Sequence, residues 1–72
     1  MGENKQFQLK AARLNADLTQ TAAVDCLREM GVKISKTTLT SYEKYRTMPD
    51  IETAKAMATL YGLSVDDIRW RA

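Results

Sequence analysis

The 72 residues offer few side chains capable of covalent or metal chemistry. There is no His and a single Cys, so the usual general base is missing and a zinc set of about four N/S ligands cannot be assembled. Cys26 alone cannot close an intramolecular disulfide. It falls on an apolar row and reads as a small core residue rather than a redox thiol. Asp66 and Asp67 are adjacent near a helix start, where capping explains them, and no Gly-rich phosphate loop is present. An enzyme is the class these residues support least, and no metal or cofactor is expected. What remains is charge and hydrogen bonding. Residues 5–46 carry eight basic and four acidic side chains, a net +4, whereas residues 47–72 carry −1 within a whole-chain charge of +2. An anionic partner docking on one face fits that division, and so does a solvated helical surface of mixed charge. Trp70, between Arg69 and Arg71, either meets a partner or folds back on the first or fourth helix.

The elements that must carry these groups read as helices almost throughout. Phe7, Ala11, Leu14 and Leu18 recur at helical spacing, and Asn15 and Asp17 then interrupt the row. Thr19 can cap a second helix whose inward row is Ala23, Cys26, Leu27 and Met30, with Gly31-Val32 as its ending. Ser35 is the N-cap expected for a third helix from Lys36 to about Tyr45, with Leu39 and Tyr42 facing inward. Asp50, after Pro49, opens a fourth helix through Ile51, Ala54, Met57, Ala58 and Tyr61, ending at Gly62-Leu63. Ser64 with Asp67 resembles a capping box and predicts a short fifth helix through Ile68. No apolar run exceeds three residues, against the ~20 of a membrane-spanning helix, and Met1–Lys5 leads into no secretory apolar region. The expectation is an all-α, compact five-helix domain over residues 1–72, its core about 6–70, soluble and free of membrane contact.

The second and third helices resemble the helix-turn-helix of the Cro and lambda-repressor-like family. The residues that carry the resemblance are Leu9 and Arg13, Leu18-Thr19-Gln20, Thr38-Leu39-Thr40 with Tyr42-Glu43, then Pro49, Ala54 and Met57-Ala58. It continues through Leu60-Tyr61-Gly62-Leu63-Ser64 and Asp67-Ile68, and so covers residues 8–68. Two departures stand out. Gln20 and Glu43 lie 23 positions apart, wider than the family's usual spacing, with the excess in Cys26–Lys33. Tyr45 stands where the family usually has Gly. In size the chain is similar to Cro-like phage regulators and, more narrowly, to the modulator-of-repression antirepressors of temperate lactococcal phages.

The resemblance implies that the third helix lies in the major groove of operator DNA. Lys36, Thr37, Thr40 and Ser41 would meet base edges, Lys36 donating to guanine and the hydroxyl residues making short contacts. This surface has no Arg, Asn or Gln, the best side chains for bidentate reading, so DNA shape is expected to share in specificity. Gln20, at the start of the second helix, would approach a phosphate. Lys44 and Arg46 would reach flanking phosphates, although cations at a helix C-terminus are favourable in any case. Lys10 and Lys33 read as solubilising residues. Arg13 and Glu43 match an enclosed structural ion pair. Tyr45, expected to be exposed, and Trp70 are the candidates for a protein interface. The implied partners are double-stranded DNA, with a phage repressor or a second copy of the chain as protein partners, in the cytoplasm of a bacterial host cell. Transcriptional regulation in a lysogeny switch is the expected function, with capture of the partner repressor as the alternative.

Overall fold

The computed structural model describes residues 6–71. Four helices are arranged between two very short strands: β1 (Phe7–Gln8), α1 (Leu9–Asn15), α2 (Gln20–Glu29), α3 (Lys36–Glu43), α4 (Ile51–Leu60), a 3-10 turn (Val65–Asp67) and β2 (Ile68–Arg69). The strands pair in parallel, Phe7 opposite Ile68 and Gln8 opposite Arg69, and so join the two ends of the domain.

Each of the three longer helices starts as its cap residue dictates. Thr19 Oγ1 accepts from Ala22 N at 3.0 Å, Ser35 Oγ from Thr38 N at 3.1 Å, and Asp50 Oδ1 from Thr53 N at 2.9 Å. These bonds satisfy N–H groups that have no intrahelical partner. All four helices end alike. A residue with positive φ follows the helix (Asp17 at 60°, Gly31 at 92°, Tyr45 at 60°, Gly62 at 75°), and its own N–H and that of the residue after it turn back onto the last carbonyls. At Gly31 this gives Gly31 N to Arg28 O at 3.0 Å and Val32 N to Leu27 O at 2.8 Å, the two bonds of a Schellman ending.

The core gathers Leu9 and Ala12 of α1, Ala23, Val24 and Leu27 of α2, Leu39 of α3, Met57, Ala58 and Tyr61 at α4, and Ile68 of β2. Several sequence expectations are corrected here. The fifth helix is a 3-10 turn. The Asp67 carboxylate accepts from both Ser64 N and Ser64 Oγ, closing the turn, and β-branched Ile68 continues in extended backbone to reach the core. The domain is therefore predominantly helical with four helices and a small sheet. In α1 the buried row is Leu9, Ala12 and Arg13, while Leu14 is 53% exposed and Phe7 lies in β1. The helix begins only at Leu9, which leaves Phe7 outside it, and the face that packs inward is the i, i+3, i+4 row of Leu9, Ala12 and Arg13. The buried row of α2 is Ala23, Val24 and Leu27, with Cys26 only half-buried outside the core cluster and Met30 exposed after the helix, and Ile51 faces solvent at the start of α4. Between Gln20 and Ser35 the chain forms the ten residues of α2 and a connection over residues 30–35.

Candidate nucleic-acid interface

α3 owes its placement to Leu39, which is fully buried, and to half-buried Tyr42. Burial, and then the nearby Asp50 charge, raise the Tyr42 pKa, so its phenol stays neutral. The opposite side presents Lys36 and Thr37 to solvent with Ser41 half-buried between the turns, and Lys44 and Arg46 follow the helix, both exposed.

A polar network fixes α3 to α1 and α2. Arg13 Nε donates to Glu43 Oε2 at 2.7 Å, with the side chains only 6% and 4% exposed, and Arg13 Nη1 donates to Leu18 O at 2.8 Å. Gln20 Nε2 donates to Glu43 Oε1 and to Thr40 Oγ1, both at 3.1 Å. A carboxylate only accepts, so the atom of Gln20 that faces Glu43 must be its amide nitrogen. Thr40 Oγ1 donates in turn to Lys36 O at 3.0 Å. The enclosed charges are thus paired and further hydrogen-bonded, as their burial requires. Tyr61 lies close by with a buried hydroxyl that meets no partner among the described residues. Burial and the Glu43 charge, opposed by Arg13, push its pKa up.

These bonds decide what each candidate side chain has left to offer. Both amide hydrogens of Gln20 are directed inward, so toward an anion the start of α2 presents the backbone N–H groups of Gln20 and Thr21. The Thr40 hydroxyl both donates and accepts within the domain, leaving its methyl group for an outside contact. Lys36, Thr37, Ser41, Lys44 and Arg46 keep their polar ends unbonded among the described residues, apart from local backbone contacts. Lys10 joins them: a shallow open cleft of about 490 Å³ between α1, the start of α2 and α3 is lined by Lys10, Lys36 and Lys44 together with Leu14, Leu18 and Thr21. Lys10 is thus placed at the cleft, where residue type alone suggests only a solubilising role. Its position three before Arg13 places it on the face of α1 that turns to α3, and that spacing was available in the sequence.

The two aromatic residues expected at a protein interface are engaged within the chain. Tyr45 is half-buried rather than exposed. Its hydroxyl accepts from Leu9 N and donates to Arg69 O, both at 3.2 Å. Trp70 folds back, donating from Nε1 to Val65 O at 2.9 Å and packing against the core. No helix among the described residues is long and apolar enough to cross a membrane, and no metal-ligating cluster is found among them.

None of the curated proteins and none of the solved structures gives a match to the chain. A family model described as Helix-turn-helix matches residues 9–68, from the first residue of α1 to the first of β2. That span includes every element of the polar network and both helices of the motif. The chain therefore belongs to the helix-turn-helix family of Cro/C1 type, a family of DNA-binding transcription regulators.

Proposed function

We propose that this chain is a small transcriptional regulator of the Cro-like phage type, acting in a lysogeny switch by laying α3 in the major groove of an operator. The observation that carries the reading is the network of Arg13, Glu43, Gln20 and Thr40, which holds α3 rigidly beside the start of α2 while its outer face stays free. Lys36, Thr37 and Ser41 read base edges, with the Thr40 methyl available to a thymine methyl group. Lys10, Lys44 and Arg46 neutralise phosphates, and the N–H groups of Gln20 and Thr21 receive one more at the helix N-terminus. With about three charged phosphate contacts, log affinity should fall against log salt with a slope of about −3 per bound chain. Titration of the promoter duplex beside its own gene, over a range of salt, measures this. Lys36→Ala should alter sequence preference, whereas Arg46→Ala should weaken binding to all duplexes alike. Absence of binding to any duplex at low salt would remove the reading.

One observation favours a second reading. The outer face of α3 lacks Arg, Asn and Gln, one of its expected readers, Thr40, has its hydroxyl bonded inside the domain, and so has the amide of Gln20, expected at a phosphate. Such a face suits an antirepressor that covers a partner repressor and blocks or redirects its DNA binding. A second copy of this chain is the other possible protein partner. Calorimetry with the repressor encoded beside this gene separates the two readings: association lost on altering Lys36 and Arg46 supports the antirepressor. No association at tens of micromolar, with operator binding intact, leaves a Cro-like repressor.

A further inference from the structure

The end of α3 contains a residue whose backbone and side chain call for a common explanation. Tyr45 occupies the left-handed position after the helix, with φ at 60°. Of the four such positions two are glycines and one is Asp, which tolerates this conformation; Tyr45 is the bulky exception. The strained backbone aims the ring at the start of α1 and at β2. The hydroxyl accepts from Leu9 N, the first N–H of α1, whose own N-cap residue Gln8 supplies no side-chain bond. It also donates to Arg69 O in β2, which is paired with Gln8 in β1. One oxygen thus joins three segments separated by 36 and 24 positions in sequence. Its single proton and one of its lone pairs are both used. The same turn carries Lys44 immediately before Tyr45 and Arg46 immediately after, with Arg46 N bonded to Ser41 O at 2.9 Å.

We propose that Tyr45 is a positioning residue for the DNA surface, locking the exit of α3, and with it Lys44 and Arg46, to the paired terminal strands. Pairing of β1 with β2 and placement of the two cations are then one coupled event. Anything that separates the strands weakens DNA binding without touching the base-reading face. The inference rests on the DNA-binding reading of α3, and its test keeps the two apart. Tyr45→Phe retains the ring and the backbone conformation and removes the hydroxyl alone. In the free protein, amide exchange should quicken about tenfold at Leu9 and also at Arg46. At a temperature where all variants are folded, duplex affinity should fall several-fold, and the salt dependence should become shallower by about one phosphate contact. Ala54→Gly, which weakens the fold from within α4, should leave the salt dependence unchanged. Faster exchange at Leu9 with unaltered salt dependence would reduce Tyr45 to a purely structural role and overturn the proposal. So would unchanged exchange at Leu9. If the wild-type protein binds no duplex, the DNA reading fails separately. Exchange then decides the coupling: Leu9 and Arg46 quickening together keeps it, and Leu9 alone ends it.

Discussion

Glu43 accepts hydrogen bonds from two helices at once, from Arg13 at 2.7 Å and from Gln20 at 3.1 Å, in a side chain only 4% exposed. Removing Arg13 leaves that carboxylate enclosed with an amide as its only remaining partner, a loss of about 3–5 kcal/mol. A domain of this size has on the order of 4–11 kcal/mol of total stability, so Arg13→Ala should bring it close to unfolding. Lys36→Ala, at an exposed position, should stay within about 0.5 kcal/mol of wild type. Thermal melts of both variants at equal concentration check this, and equal midpoints would count against the network. Tyr61 makes the opposite case. Its buried hydroxyl has no partner among the described residues, and an unsatisfied hydroxyl costs about 1–3 kcal/mol. Tyr61→Phe keeps the ring in the core and should raise the midpoint by several degrees, at about 4–8 °C per kcal/mol. A lower midpoint would mean that the hydroxyl is bonded after all. At this scale little was legible in advance. Arg13 and Glu43, 30 positions apart, were linked only through the family resemblance. The directions taken by Gln20, Thr40, Tyr45 and Trp70 depend on neighbours that packing brings together, and residue type alone does not set them.

Helix boundaries were far more legible, because capping chemistry is complete within four residues. Thr19, Ser35 and Asp50 each bond the N–H three positions on, as their types predict. Faces were less so. In a helix of seven residues the apolar spacing fits more than one face, and packing selects the one through Leu9, Ala12 and Arg13, with Phe7 in β1 and Leu14 exposed. The signal at Ser64 and Asp67 was read correctly as a cap, yet the segment it opens is a 3-10 turn. These caps carry a pH consequence. The bonds from Thr53 hold Asp50 below its ordinary value of 3.8, and the bonds from Ser64 do the same for Asp67. Because both pKa values are depressed in the folded state, their stabilisation is present above the unfolded value and lost as pH falls through the folded ones. The melting midpoint should therefore respond little to these groups above about pH 5 and decline below about pH 4. Asp50→Asn retains an acceptor without a titrating group, so its midpoint should decline less over that interval. A wild-type midpoint as high at strongly acid pH as near neutrality would contradict the assignment.

Two strands of two residues each give no alternation for a sequence reading to detect, and the whole-molecule closure was invisible for that reason. Yet this closure uses several bonds. Phe7 pairs with Ile68 and Gln8 with Arg69; Gln6 Nε2 donates to Asp66 O at 3.1 Å, Tyr45 bridges Leu9 and Arg69, and Trp70 holds Val65 O. Ile68 itself is 1% exposed and belongs to the one buried cluster to which all four helices contribute. The strand pair is therefore tied into the single core through Ile68 rather than appended to it. In a domain this small each buried side chain is a large share of the whole. Ile68→Ala should cost about 2–5 kcal/mol, comparable with the loss of an interior helix residue. The more telling measurement is cooperativity. If the terminal strands and the helices share one core, Trp70 fluorescence and far-ultraviolet circular dichroism should report the same transition in wild type and in Ile68→Ala, only at a lower midpoint in the variant. Should Trp70 fluorescence change well before the helical signal, the strands would be a separable unit. The coupling between β2 and the cations that follow α3 would then lose its physical basis. Coincident transitions, by contrast, mean that α3 cannot be fully ordered while the two terminal strands are apart.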